Sequence, residues 1–263
     1  MISRDFSASI TFMFREHAIP ERFAAAKTAS FTAVEIQFLA EAALDDLVNA
    51  RQKADIPVRL LNCSMGDFLA GGLGLSGVPG REEMFRTAFR EALVAAERLG
   101  ATFLHIGPSR VADGVSRDDC LNVYRSNVRW ALQQSQDQSV ILLVEPINRV
   151  ETPAALQNDY KEMAKFVSAL ATPKLRLVLD IYHCVMNGED PVKLYAASKD
   201  IVAHVQFADV PGRHQPGTGA IDFADMFQKL ENIGYKGGYG AEYIPQGGTP
   251  ASLEWLTGLQ TRP

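Results

Sequence analysis

Short apolar runs that end abruptly on a polar residue recur along this chain, with helically spaced stretches between them. The clearest is Ile141-Leu142-Leu143-Val144, which reads as a strand buried on both faces, as in a parallel sheet. Glu145 closes the run, and Pro146 holds its predecessor in extended geometry, so Glu145 is expected to be the last strand residue. The pattern repeats. Leu177-Val178-Leu179 ends on Asp180, residues 202–205 run into Gln206, and Gly240-Ala241 leads to Glu242.

Taken in order, the alternation predicts strands over residues 9–14, 33–38, 58–63, 101–106, 141–145, 175–179, 201–207 and 238–243. Helices are predicted to open at Pro20, to span 41–53, 81–99, 116–134 and 159–170, to follow Pro191, and to span 222–233. Pro20 suits a first helical turn, and Gly100 the position just past a helix end. Eight βα units at near-regular spacing, with no linker or low-complexity break, predict a single-domain (β/α)8 barrel over residues 1–263. A doubly wound sheet is the alternative. Such barrels carry their chemistry at the C-terminal strand ends, where these carboxylates fall.

The composition changes the picture only by exclusion. An apolar content of 47% and a charged content of 22% in 263 residues suffice for one sizeable core. A net charge of −5 argues against nucleic acid, whose backbone needs a basic face. Cys63, Cys120 and Cys184 are odd in number and form no CxxC pair, so they read as reduced thiols of a cytoplasmic protein. The first residues show no signal-peptide pattern, and no window approaches the length of a membrane span. The sequence leaves self-association as a homo-oligomer open.

Three carboxylates crowded on adjacent strand ends repel one another, and a divalent cation resolves that conflict. Glu145, Asp180, Gln206 and Glu242 all offer oxygen, which favours Mg²⁺, Mn²⁺ or Co²⁺ over a thiolate zinc site. One polar strand end is most simply a residue bonded to a neighbouring loop; four in register predict a converging site. His204 lies two residues before Gln206 and is expected in the layer beneath, satisfied by a backbone carbonyl. His105 is either a mouth residue or core filler, and His17 and His214 read as loop surface. Glu151, His183 and Arg213 follow strands five, six and seven. Arg213 sits in a turn-rich loop where its guanidinium would suit a carboxylate, a solvated arginine being the equal alternative.

Gly72-Leu73-Gly74-Leu75-Ser76-Gly77 matches a dinucleotide fingerprint, G-x-G-x-x-G. Strand three is expected to end near Cys63 and Pro79-Gly80 intervenes before the helix, so the glycines miss the strand–helix turn that the fingerprint requires. A mobile loop over the barrel mouth is the expectation instead.

Several stretches together resemble the hydroxypyruvate isomerases of the xylose-isomerase-like TIM barrels, almost end to end. They are Glu21-Arg22-Phe23-Ala24-Ala25-Ala26, Gly74 to Glu82, Val144-Glu145-Pro146-Ile147-Asn148, Asp180-Ile181-Tyr182-His183, His204-Val205-Gln206-Phe207-Ala208-Asp209 with Pro211-Gly212-Arg213-His214, and Gly240-Ala241-Glu242-Tyr243. The resemblance implies a metal on Glu145, Asp180, Gln206 and Glu242, with Glu145 and Glu242 also the acid/base pair. Similarity to the ketose 3-epimerases, which usually carry histidine where this chain has Gln206, implies substrate contacts from Glu151, His183 and Arg213. Two departures stand beside the site: Ile244 replaces a common lysine, and residues 149–155 differ from the usual pattern. The implied reaction is metal-assisted aldose–ketose isomerisation of a small hydroxy-oxo acid. The leading candidate is hydroxypyruvate to 2-hydroxy-3-oxopropanoate through an enediolate. A 2-oxo-tetronate isomerase or a ketose 3-epimerase is the nearer alternative, and an endonuclease-IV-like phosphoesterase the remote one.

Overall fold

The computed structural model describes residues 4–38 and 42–260. Eight parallel strands, β1 (Phe6–Ser9), β2 (Ala33–Ile36), β3 (Val58–Asn62), β4 (Phe103–Ile106), β5 (Ile141–Val144), β6 (Leu175–Asp180), β7 (Val202–Phe207) and β8 (Tyr239–Ala241), follow one another in sequence order. β8 pairs back onto β1, which closes the barrel and removes the doubly wound alternative. Outside it lie α1 (Ile19–Thr28), α2 (Leu44–Ala54), α3 (Glu82–Leu99), α4 (Arg117–Gln134), α5 (Tyr160–Leu170), α6 (Ile181–Met186), α7 (Pro191–Ser198), α8 (Phe223–Asn232) and α9 (Glu254–Gln260). No helix among the described residues is long and apolar enough to cross a membrane. The three cysteines are buried and free.

Local chemistry explains most boundaries. Ser116, Asp159 and Asp222 accept backbone N–H bonds at the starts of α4, α5 and α8, and a cap of this kind contributes about 1 kcal/mol. Gly100 ends α3 in the left-handed region at φ 63°, as its position predicts. Two expectations are corrected. β1 lies earlier than 9–14, because Ser7 and Ser9 face inward and the apolar residues after them turn back, Met13 N–H donating to Ser9 O. The short α6 was not expected; it starts directly on Asp180, whose carboxylate accepts the Tyr182 N–H at 2.8 Å. The expected start of the second helix at Glu41 lies outside the described residues, and α2 begins at Leu44.

Each strand alternates its side chains between two environments. One set, including Val34, Leu61, Leu104, Leu142, Leu177 and Val205, packs outward against the helices in the main core. The other points into the barrel. Leu60, Phe103, Leu143 and Val178 plug one side of that interior as a separate apolar cluster. The opposite side holds Ser7, Glu35, His204 and Gly240, and a fully buried carboxylate there is costly unless bonded. Glu35 accepts from Ser7 Oγ at 2.6 Å, His204 Nε2 at 2.7 Å and Gln206 Nε2 at 2.8 Å. Burial alone would raise its pKa; the adjoining His204 ring and these three bonds hold it below the ordinary value. His204 therefore lies beneath the strand ends as expected, but a carboxylate satisfies it, not a backbone carbonyl.

Gly240 makes this arrangement fit. A Cβ there would fall on Glu35 Oε1 and lie 2.8 Å from His204 Nε2. Gly240→Ala is expected to cost about 1–3 kcal/mol, the usual range for forcing extra carbon into a packed interior. Urea denaturation measures this, and an unchanged midpoint would mean that the Glu35 side chain yields freely.

Candidate active site

Two residues above that inner layer, the strand ends form a ring that is polar throughout: Ser9, Gln37, Asn62, His105, Glu145, Asp180, Gln206 and Glu242, all buried. The ring is divided by charge. Its acids come from the ends of β5, β6 and β8, whereas β1 to β4 supply a hydroxyl, two amides and an imidazole. Glu145 and Glu242 line one cavity of about 210 Å³ with Gln37, Asn62, His105, Glu151, His183 and Arg213. Asp180 and Gln206 lie at its floor, nearly inaccessible. Glu145 stands one residue past β5 and Asp180 is the last residue of β6, close to the predicted boundaries.

Arg213 is drawn into the acidic half. Its Nη2 lies 3.2 Å from Glu242 Oε1 and 3.6 Å from Asp180 Oδ2, and its guanidinium lies over the Tyr182 ring. The neighbouring carboxylates raise its pKa further, against the effect of burial. It is not a solvated loop residue. It occupies the left-handed region at φ 56°, held there by Asp209, whose carboxylate accepts backbone N–H bonds from Val210, Gly217, Gly219 and Ile221. Arg110 also lines the cavity, but its Nη1 is bonded to Phe68 O and Gly72 O.

His183 fixes its own tautomer. Its Nδ1 lies 3.2 Å from the Asn148 backbone N and 2.8 Å from Asn148 Nδ2, both of which can only donate. Nδ1 therefore accepts, and in the neutral ring the proton sits on Nε2. Burial, followed by Arg213 and His105, keeps the ring neutral by pushing its pKa well down. Nε2–H faces Asp180 Oδ2 at 3.6 Å and Glu145 Oε1 at 3.7 Å. Glu145, Asp180 and His183 place one donor atom each within 4.8 Å of one another, the spacing of a metal triad. The tautomer makes Nε2 a hydrogen donor instead, so of this triad only Glu145 and Asp180 offer ligand atoms, and any further oxygen would come from elsewhere in the ring. Glu151 completes this side, accepting from Tyr182 Oη at 2.5 Å and Asn148 Nδ2 at 2.9 Å.

His105 is a mouth residue, its Nε2 3.6 Å from Glu145 Oε2 and its pKa pushed down to about 4, chiefly by burial. His17 is exposed, and His214 is half-buried with Nδ1 2.8 Å from Ile244 O. The glycine segment is tied down, contrary to the expected mobile loop. Gly74 bridges Ser109, Arg110 bridges Ala155, and Ser76 Oγ donates to Gly107 O at 2.8 Å. Four residues escaped the sequence reading: Ser9, Gln37, Asn62 and, beneath them, Glu35. Applying the two-residue alternation to β1–β3 as well as β5–β8 would have found them.

The acidic half fits a hard divalent cation. Glu145 Oε1 is buried with no hydrogen-bond partner among the described residues. The Gln206 amide donates its Nε2 to Glu35, which leaves its carbonyl oxygen as the free end. Burial, then the charges of Asp180 and Glu242, push the Glu145 carboxyl well above the usual range, and Glu242 is raised to about 8 by burial first. Arg213 is the cation seated among them.

Comparison with known proteins agrees with the fold. Residues 23–259 match the family model of the xylose isomerase-like TIM barrel. The chain is 34% identical to the 2-oxo-tetronate isomerase of Cupriavidus necator over 254 residues, covering 95% of this chain and 96% of the relative. It is 30% identical to the hydroxypyruvate isomerase of Escherichia coli over 251 residues, covering 95% and 97%. Among solved structures, an AP endonuclease family 2 protein from Brucella melitensis superposes with a TM-score of 0.91 at 31% identity, covering 98% of this chain and 100% of that one.

The raised carboxyls set a pH dependence. A carboxyl whose pKa folding raises stabilises the protein below its unfolded value of about 4.3, and that contribution is lost as pH climbs through the folded value. The metal-free protein is therefore expected to lose Tm from about pH 4 toward pH 8 relative to protein with Mn²⁺ added, because a ligand of the folded state raises Tm. Differential scanning fluorimetry in both conditions checks this. A gap that does not widen with pH would mean that Arg213 alone compensates the acids.

Proposed function

The chain belongs to the xylose isomerase-like TIM barrel family and is an isomerase of that family, and on this premise we propose that it interconverts the carbonyl and hydroxyl of adjacent carbons in a small hydroxy-oxo acid. Hydroxypyruvate, which would give 2-hydroxy-3-oxopropanoate, is the shortest such substrate, and the four-carbon homologue is the next. The observation that carries this reading is the pair of raised carboxyls, Glu145 and Glu242, flanking one small cavity with an arginine beside them.

Glu145, Asp180, Gln206 and Glu242 would hold a divalent cation of the Mg²⁺, Mn²⁺ or Co²⁺ type through oxygen. When bound, the cation supplies Lewis-acid polarisation of neighbouring carbonyl and hydroxyl oxygens. The remaining work falls to the chain itself. One of Glu145 and Glu242 removes the proton from the hydroxyl-bearing carbon, a carboxyl returns a proton to the adjacent carbon, and the hydroxyl proton passes to the former carbonyl oxygen, so no electrons leave the substrate. His183 Nε2–H, pinned by Asn148, faces the same space and would donate to a substrate oxygen. Glu151, held by Tyr182 and Asn148, would accept from a substrate hydroxyl. Arg213 keeps a buried Nε without a partner among the described residues, besides the Nη2 shared with the acids, and would take the substrate carboxylate. A phosphoesterase would instead need several histidine ligands at one site; the ring holds one histidine, and the tautomer of His183 makes it a donor.

Glu145→Gln and Glu242→Gln are each expected to lower turnover by roughly 10²–10⁴-fold and to abolish deuterium uptake from solvent into product. Nuclear magnetic resonance of the reaction in D₂O reads the exchange, and a Mn²⁺ titration of each variant separates proton transfer from metal loss. Turnover without any solvent exchange would favour a hydride shift. Arg213→Met is expected to raise KM for an oxo-acid by about 10- to 150-fold, the value of a charge-assisted bond, with little change for neutral ketoses. Equal loss on both would reassign Arg213 to balancing Asp180 and Glu242.

A further inference from the structure

The acidic half of the ring accounts for the reacting end of a substrate, but the β2–β4 half has no assigned partner. Gln37 and Asn62 are 3% and 8% exposed and face the same cavity as Glu145 and Glu242. Gln37 is fixed: its Oε1 accepts from Ser9 Oγ at 2.5 Å, and its backbone N–H donates to Thr11 Oγ1 at 2.9 Å. Its Nε2 is buried without a partner among the described residues, and so is Asn62 Oδ1. A buried donor and a buried acceptor left open beside a cavity are expensive, and their expected partner is a ligand.

The chemistry of the pair narrows that ligand. A cation would find an acceptor in Asn62 Oδ1 but would face the N–H donor of Gln37 Nε2. A carboxylate only accepts, and would set its lone pairs against Asn62 Oδ1. A hydroxyl both donates and accepts, matching Asn62 Oδ1 and Gln37 Nε2 together. On hydroxypyruvate every oxygen lies on the reacting carbons or the carboxylate, so the two amides would stay unpaired.

Resting on the isomerase reading of this site, we propose that Gln37 and Asn62 form a subsite for a hydroxyl on a carbon beyond the reacting pair, which makes the substrate a four-carbon hydroxy-oxo acid. The cavity has room in this direction: Gln37, Asn62, Met65 and Leu69 also line a cleft that runs on toward Glu91 and Ala92 of α3. His105, whose neutral Nε2 lacks a hydrogen-bond partner among the described residues, stands between this subsite and Glu145.

The test separates binding from catalysis. The Mn²⁺-loaded full chain is titrated by calorimetry with glycerate and with the four-carbon erythronate and threonate, aldonic acids that lack the carbonyl and are not turned over. In parallel, kcat/KM is measured on hydroxypyruvate and on the four-carbon 2-oxo-3,4-dihydroxy acid. At about 2- to 13-fold per neutral hydrogen bond, two bonds are expected to favour the four-carbon ligand by roughly 4- to 170-fold in each measurement. Gln37→Leu and Asn62→Leu should each reduce that ratio by about 2- to 13-fold, with folding followed by circular dichroism. A wild-type ratio near one in binding and turnover overturns the subsite and leaves the isomerase standing, whether or not the variants fold. A ratio unchanged in folded variants also overturns it. Selective binding of the four-carbon aldonates without turnover of any oxo-acid upholds the subsite and overturns the isomerase reading.

Discussion

Four carboxylates buried in one barrel is the constraint around which the rest of this structure is arranged. Glu35, Glu145, Asp180 and Glu242 cannot all be ionised in a closed interior without compensation. The fold deals with them in two ways. Glu35 is fully satisfied, by a serine, a histidine and an amide, and is held in its charged form. The other three are left under-compensated, with one arginine among them and their pKa values raised. The contrast separates a structural acid from the three proposed for the chemistry, two residues higher on the same barrel. Perturbed carboxyls facing a cavity are where acid–base chemistry is expected.

Glu35 also links the two levels. Its Oε2 takes the Gln206 Nε2–H, which dictates which end of that amide faces the ring. A neutral oxygen donor thereby joins the three acids without adding a fourth charge. Supporting bonds of this kind commonly orient the groups that meet a metal or substrate. Gly240 provides the space, since a side chain there would occupy the place of the Glu35 carboxylate. The short apolar stretch before Glu242 is thus as much a part of the site as the glutamate itself.

The acidic half of the ring was legible because its strands are short apolar runs that stop on a carboxylate, and because Pro146 marks one boundary. The neutral half was obscured for physical reasons. Ser7 and Ser9 break the apolar pattern of β1, so the eye moves to residues 10–14, which form a turn. Glu35 sits in Ala33–Ile36 as one polar residue among β-formers, and no local signal says that its partners are Ser7, His204 and Gln206. Arg213 was placed correctly over the strand ends, but its pairing with Asp180 and Glu242 depends on a loop fold set by Asp209 and four backbone N–H groups, which spacing does not encode.

The loops above the ring are joined to one another as well as to their own strands. Gly74 pairs with Ser109 and Arg110 with Ala155, which binds the loops after β3, β4 and β5 into one arc. Ile244 N–H donates to Arg213 O, Gln246 N–H to Gln215 Oε1, and Phe14 N–H to Thr249 Oγ1, which binds those after β7, β8 and β1 into another. Each arc is held together as one mechanical unit. An insertion in one loop would strain its arc-mates first, and the two arcs meet through the segment after β6, where His183 bonds Asn148 and Tyr182 carries Arg213. Lineages or engineers seeking a new substrate on this barrel would do better to exchange a whole arc than to graft a single loop.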